Sequence, residues 1–436
     1  MRPPLGVIIV TFNSADVVLD CLESLLAATD VRLEIVIVDN ASRDETVRSL
    51  RDWAAGSLPY LPPTDIPFAL RPCIKPVPLQ LRSAGDKDRF HTITLIEAGV
   101  NGGFAAGVNR GLAHLAANTD IDRFWILNPD SAVPPGAARA FATEPGPAGG
   151  FSLMGGRVIY LDDPGKIQID GGLINWWTGV TGNKHQYMGP ATPAPDPARL
   201  DFITGASMVV SRAFYEQAGP MAEDYFLYYE EVDWALRRLT LPGGPLPLAY
   251  CPGGIVYHRA GTAIGSPTLG RPASPFSLYF KHRARIRFMR RFRPRNLPAA
   301  LAYSLAKAGQ LAWQGYWTEA RTILQASLGA APATERPGPA FAGGGDAGLW
   351  SGPATLTILR RHYPRLSRFS PIRSACRQLT RCEQIAALKG PHPGNSLAAT
   401  AGLIGFRATM AGKLPERAIW GAGKGQEHAQ GKDHPV

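Results

Sequence analysis

Two short apolar runs, Gly6-Val-Ile-Ile-Val-Thr-Phe12 and Leu33-Glu-Ile-Val-Ile-Val38, constrain the fold of this chain more than any other feature. A nearly unbroken β-branched run is what a strand buried on both faces of a parallel sheet requires. Between the runs, Val18, Leu22, Leu25 and Leu26 share one face of a helix predicted over Val17–Ala28, with Asn13 or Ser14 as its cap. After the second run, Ser42 is expected to cap a helix carrying Thr46, Val47 and Leu50. This β-α-β-α order opens a doubly wound α/β sheet, in which ligands bind beyond the carboxyl ends of the strands. Asn13 and Asp39 stand at those ends.

Further strands are predicted at Thr92–Ile96, Phe124–Leu127, Gly155–Tyr160, within Asp201–Arg212 and within Leu248–Val256. Residues 54–92 interrupt the pattern with prolines and little period, and read as a long surface insertion. The glycine-rich Asn101–Gly111 predicts a turn onto a helix ending near Ala117, whose N-terminal amides can meet phosphate. It is no Walker loop, because Val108-Asn109 stands where Lys-Ser/Thr is required, and it reads equally as a tight structural turn. Asp130 lies just past the Phe124–Leu127 strand, where a carboxylate can meet a ligand or start a turn after Asn128-Pro129. Trp176 and Trp177 suit a sugar pocket or core packing alike. His258 taken alone reads first as structural.

The stretch Asp224-Tyr-Phe-Leu-Tyr-Tyr-Glu-Glu-Val-Asp-Trp234 sets four carboxylates beside aromatics and runs into a helix. Acids in a first helical turn are favoured by the helix dipole. Asp233 has Arg237 four residues on, whereas Glu230 has Trp234 and Glu231 has Ala235 at that spacing. A carboxylate among aromatics, with no cation at helical spacing, can rise toward the working range of a general base.

Seven stretches in order carry a resemblance to family 2 glycosyltransferases of the GT-A fold, in the rhamnosyl- and galactofuranosyl-transferase-like branch. They are Val10-Thr-Phe-Asn13, Val38-Asp-Asn-Ala-Ser42, Asn101-Gly-Gly-Phe-Ala-Ala-Gly-Val-Asn109, Leu127-Asn-Pro-Asp130, Thr204-Gly-Ala206, Phe226-Leu-Tyr-Tyr-Glu-Glu-Val-Asp233 and Tyr257-His258. The resemblance implies that Thr11, Asn13 and Asp39 hold the base and ribose of a sugar donor. Asn101, Gly102 and Phe104 would lie along the nucleotide. Asn128 and Asp130 match the two ends of the D-x-D motif, with Asn in place of the first Asp. Asp130 and His258 match ligands of Mg²⁺ or Mn²⁺. Glu231 matches the catalytic base, where the family usually has Asp, with Glu230 as its neighbour or substitute.

Charge divides the chain. Residues 1–275 hold 22 Lys+Arg against 28 Asp+Glu, whereas residues 276–436 hold 24 against 7. The resemblance implies a GT-A domain over 1–275. Residues 276–328 read as a basic, amphipathic helical region, 329–354 as a Gly/Pro/Ala linker, 355–417 as a basic extension without an assigned role, and 418–436 as a disordered tail. Lys281–Arg295, with eight basic and no acidic residues, suits either an anionic membrane surface or a helix packed on the catalytic domain. No nucleic-acid motif accompanies the charge. No membrane-spanning run or leader is expected, and Cys21, Cys73, Cys251, Cys376 and Cys382 show no metal or disulfide spacing, which fits a reducing cytoplasm.

The expected activity is metal-dependent, inverting transfer of a sugar, rhamnose-like in this branch. The donor would be a nucleotide-diphosphate-sugar. The acceptor would be a cell-envelope polysaccharide or a lipid-linked molecule, met in the cytoplasm or at the inner face of the membrane. The rivals are a non-catalytic nucleotide-sugar-binding module, for which Asn128 and Glu231 argue, and a sugar nucleotidyltransferase with a similar sheet.

Overall fold

The two apolar runs become adjacent central strands of a nine-stranded sheet. In the computed structural model, which describes residues 2–79, 91–259 and 272–330, β1 (Pro4–Thr11) pairs in parallel with β2 (Arg32–Asp39), and α1 (Val18–Leu26) crosses between them. After α2 (Thr46–Ala55) the chain adds β3 (His91–Glu97) outside β2. It then returns through α3 (Phe104–Ala116) to lay β4 (Arg123–Leu127) on the other side of β1. Next come β5 (Ser131–Ala132), α4 (Ala137–Thr143), β6 (Leu153–Tyr160), β7 (Ile167–Ile169), β8 (Gly172–Ile174), β9 (Thr181–Asn183), β10 (Ser207–Ser211), α5 (Arg212–Ala218), α6 (Glu230–Arg237) and β11 (Ala249–His258). The order is β3-β2-β1-β4-β10-β6-β11-β5, with β7 beside β6 and β8–β9 a separate hairpin. The long ladders are parallel, and β10 inserts antiparallel between β4 and β6. This is the expected mixed, mostly parallel α/β sheet of the GT-A type. Strand order reverses at β1, so a crevice opens beyond the carboxyl ends of β1 and β4.

Alternation along the central strands builds a core on each face. Val7 and Ile9 pack with Leu22, Leu50, Trp53 and Phe141 on one side. Ile8 and Val10 pack with Val108, Leu112, Phe214, Trp234 and Phe288 on the other. Each such side chain contributes about 1.5–3 kcal/mol by leaving water. The predicted caps do not form. Helix α2 begins only at Thr46 with no side-chain cap, because the Ser42 hydroxyl donates to Asp39 instead. Likewise α1 begins at Val18 without a side-chain cap.

The described part of the proline-rich segment runs largely exposed and is tethered to the sheet layer at a few points. Cys73 N and Lys75 Nζ donate to the buried Glu23 at 2.7 and 2.6 Å, and Ile66 packs with Ala132 and Leu161. Residues 80–90 of that segment lie outside the described residues.

Three helices follow: α7 (Pro275–Phe292), α8 (Leu297–Trp313) and α9 (Trp317–Leu328). Ser274 caps α7 by accepting from Ser277 N, with Pro275 in the first turn. Of the two readings of the basic run, α7 adopts the packed one. Arg285 is buried, Arg291 Nη1 reaches Asp233 Oδ2 at 2.8 Å, and Arg287 pairs with Asp224. No helix among the described residues is long and apolar enough to cross a membrane. The linker beyond 330, the extension 355–417 with Cys376 and Cys382, and the tail 418–436 lie outside the described residues.

Candidate active site

At the switch point the first three expected donor residues form one network. The parallel register sets Thr11 beside Asp39, and Thr11 Oγ1 donates to Asp39 Oδ1 at 3.0 Å. Ser42 N donates to Asp39 Oδ2 at 2.9 Å, and both Thr11 and Asp39 are buried. Asn13 is exposed with φ 51°, and its Oδ1 accepts from Arg43 N at 2.8 Å. The network therefore shapes the floor of the crevice, and Asn13 is its member open to a ligand.

The glycine-rich turn does structural work first. Gly103 N donates to Asn101 Oδ1 at 3.0 Å and Phe104 N to Phe226 O at 2.9 Å, so two of the amides that open α3 are taken. Asn40 Nδ2 adds a bond to Gly103 O at 2.9 Å. Gly102 and Asn101 are half-buried beside this turn. The turn thus clamps the start of α3 to the acidic stretch through Phe226.

Asp130 and His258 meet where β4 and β11 end. Asp130 Oδ1 lies 3.0 Å from His258 Nε2, and Asn128 Nδ2 lies 3.2 Å from the same nitrogen. Gln168 Oε1 is 2.7 Å from Nδ1. With Gln168 accepting from Nδ1–H, Nε2 carries the lone pair, which faces Asp130 and can accept from Asn128 Nδ2 or bind a cation. Adjacent ligands of a six-coordinate cation with bonds of about 2.1 Å stand about 3 Å apart, so this pair fits two neighbouring positions of Mg²⁺ or a similar ion. Among the described residues no group of three or more His, Cys, Asp or Glu surrounds a metal position. The remaining positions would fall to phosphate oxygens and water.

On the opposite wall α6 starts at Glu230, preceded by an unusual backbone. Phe226, Tyr228 and Tyr229 have φ of 66°, 67° and 69°, a region that costs a bulky residue of order 1–3 kcal/mol. Aromatic packing holds them there. Phe226 stacks on Phe280, the Tyr228 hydroxyl lies 2.8 Å from Ser277 Oγ, and the Tyr229 hydroxyl donates to Gly179 O at 2.6 Å. Glu230 is buried with Oε2 unpartnered, and burial, aided by the Glu231 charge, holds its carboxyl well above the usual range. Glu231 is less enclosed. Burial pushes it up to about 7, while backbone amides and Lys281 pull it back. Asp233 is fully buried and saturated by Tyr225, Arg237 and Arg291.

A short path joins the two walls. A Cβ on Gly205 would meet the Phe104 ring at 3.2 Å and Glu231 Cβ at 4.0 Å. Its neighbour Ala206 accepts from Asn128 N at 3.0 Å, and Asn128 leads to His258 and Asp130. Of the sequence-predicted residues, Glu231, Phe104, Asn128, Asp130 and His258 gather along this path. Thr11, Asn13 and Asp39 lie at the switch point, and Asn101 and Gly102 lie in the clamp between. Trp176 is half-buried against Phe288, and Trp177 is exposed. Gln168, Asn40 and Lys281 were not singled out as site residues by sequence. Asn40 follows Asp39 directly, but Gln168 and Lys281 carry no local signal.

The sheet with this crevice defines a protein of the GT-A class. Residues 6–63 match the family described as Glycosyl transferase family 2. It is 23% identical over 241 residues to the low-salt glycan biosynthesis hexosyltransferase Agl10 of Haloferax volcanii, covering 54% of this chain and 62% of that protein. It is 25% identical over 236 residues to an N-acetylglucosaminyl-diphospho-decaprenol L-rhamnosyltransferase of Mycobacterium tuberculosis, covering 48% of this chain and 73% of that protein. The chain thus spans less than two thirds of the length of the first of these relatives. Among solved structures, the mannosyltransferase PcManGT from Pyrobaculum calidifontis in complex with GDP-Man and Mn²⁺ is similar with a TM-score of 0.41 and 16% identity, over 86% of this chain and 83% of that one.

Proposed function

We propose that the protein is an inverting glycosyltransferase that moves a sugar from a nucleotide-diphosphate donor to a cell-envelope glycan or lipid-linked acceptor. The observation that carries the reading is the path from Glu231 through Gly205 and Asn128 to the Asp130–His258 pair. It puts a carboxylate with a raised pKa on one wall and a metal-competent pair on the other. Glu231 takes the proton from the acceptor hydroxyl as that oxygen attacks C1. Attack from the side opposite the leaving diphosphate inverts the anomeric centre. Glu230, held neutral, leaves the charge on Glu231 alone. Phe104 and Gly205 set the distance between the base and the donor sugar. A divalent cation on Asp130 and His258 would neutralise the charge that builds on the leaving diphosphate. The names of both relatives, a hexosyltransferase and a rhamnosyltransferase acting on a diphospho-decaprenol, support a hexose-type donor and a lipid-linked acceptor.

Contact with a membrane surface belongs to the same reading. Trp313 and Trp317, 92% and 55% exposed, crown the turn between α8 and α9, and such rings favour a headgroup layer.

The test is a panel of nucleotide-sugars screened for metal-dependent protection against heat, followed by assay of the stabilising donor with polyprenyl-linked sugars. Release of nucleoside diphosphate is expected. Release of pyrophosphate would instead indicate a nucleotidyltransferase, and binding without any release a non-catalytic module.

A further inference from the structure

Four of the basic residues of α7 fall into two groups. Arg287 and Arg291 have carboxylate partners in Asp224 and Asp233. Lys281 and Arg285, one turn apart on α7, have none among the described residues. Neither does Lys307 on α8, whose Nζ donates to the Gln310 amide oxygen at 3.0 Å. Arg285 is buried, yet its partners are all neutral: Thr178 O at 2.8 Å, the Ser304 hydroxyl, His282 Nδ1 at 3.3 Å, and the Tyr303 ring with its centroid at 4.5 Å. Tyr303 and Lys307 are likewise one turn apart, so two helices present Lys281, Arg285 and Lys307 around His282. Burial, reinforced by these three cations, drives His282 down to about 3, so it adds no charge of its own and stays neutral. A buried cation without a counter-charge is costly to keep. The acid within electrostatic reach of Lys281 is Glu231.

We infer that Lys281, Arg285 and Lys307 form a subsite for a phosphoryl group carried by the acceptor. This rests on the reading of Glu231 as the acceptor-side base. An acceptor whose phosphate or diphosphate sits on this cluster is anchored beside Glu231, away from the Asp130–His258 pair that faces the donor. Two cationic side chains on adjacent helices, backed by a guanidinium, suit a diphosphate ester. Such a group could come from a lipid-linked sugar or from a soluble sugar phosphate.

The test uses the full chain in chelator, with inorganic pyrophosphate as one probe and a prenyl diphosphate in phosphatidylcholine vesicles as the other. Calorimetry should show saturable pyrophosphate binding that survives saturating uridine or guanosine diphosphate. The Lys281→Ala/Lys307→Ala double variant should weaken it about tenfold or more, while Lys281→Arg/Lys307→Arg should keep it. Vesicle binding lost in the alanine pair assigns the lipid-linked source. Pyrophosphate binding with no vesicle binding assigns a soluble one. Absence of pyrophosphate binding, indifference to the alanine pair, or full displacement by nucleoside diphosphate overturns the inference. None of these readings uses sugar transfer, so a failure of transfer and a failure of the subsite are separable.

Discussion

Gln168 Oε1 lies 2.7 Å from His258 Nδ1, on the far side of the ring from Asp130. A hydrogen bond there fixes which nitrogen offers its lone pair, and such outer partners typically change metal affinity about 10–100-fold. Gln168→Leu keeps the buried volume and removes the bond. It should weaken Mn²⁺-dependent binding of nucleoside diphosphate within that range while leaving the melting temperature nearly unchanged. Asp130→Ala should remove the metal dependence altogether. Titration of Mn²⁺ in the presence of nucleotide checks both, and wild-type Mn²⁺ affinity in either variant would rule out the pair as the metal position.

Glu231 sets the expected pH dependence. Its folded pKa of about 7 stands above the ordinary 4.5 because burial disfavours the charged form. The base must be ionised to work, so log kcat/KM should rise with pH below about 7 and level above it. The stability contribution has the opposite sign. The folded state holds this proton more tightly than the unfolded chain. Its contribution is therefore complete below about 4.5 and is lost as pH rises through about 7. Glu231→Gln should lower transfer by about 10²–10⁴-fold, flatten the acid limb and spare donor binding. A variant that kept the acid limb and near-full rate would show that another group is the base.

The sheet was legible because its central strands are buried on both faces, and burial of that kind leaves an unbroken β-branched signature at Gly6–Phe12 and Leu33–Val38. The caps were not. Ser42 has the right residue type at the right spacing, but Asp39 one strand end away offers its hydroxyl a better acceptor than the helix does. Helical spacing correctly gave Asp233 its partner Arg237 but left Glu231 without a cation. The charge of Lys281 acts on Glu231 from α7, about fifty residues downstream, and no local pattern encodes an influence across that separation. Gln168 is equally silent, as an ordinary polar residue in a short edge strand. The positive φ at Phe226, Tyr228 and Tyr229 runs against residue type, and only the packed aromatics around them explain it.

Asp233 should separate stability from catalysis. Its two oxygens serve Tyr225, Arg237 and Arg291 from a site with no exposure. Arg237 and Arg291 are themselves partly exposed and can turn to water, which reduces the loss below that of a fully buried pair. Asp233→Ala should cost about 2 kcal/mol in denaturant unfolding. The rate per folded molecule should stay within a few-fold of wild type, in contrast to Glu231→Gln. A rate loss as deep as that of Glu231→Gln, with stability intact, would transfer the catalytic role to Asp233.

Gly103 joins the two walls, and its replacement should disturb both. It has φ 88°, and an added Cβ would overlap Phe226 O, the carbonyl that accepts from Phe104 N. Gly99 is the control, since it has φ 73° but no atom within 4 Å of its would-be Cβ. Gly99→Ala should therefore cost only the left-handed backbone term, about 1–2 kcal/mol. Gly103→Ala carries the same term and must also push the Phe226–Tyr229 backbone away from α3. Because Glu231 follows that backbone directly, a shift of about 1 Å would move the base relative to Phe104 and Gly205 and can lower the rate about 10²-fold. Melting curves and kcat/KM for the two variants should differ accordingly. Equal behaviour in both assays would mean that the acidic stretch is positioned by α7 alone, without the glycine turn.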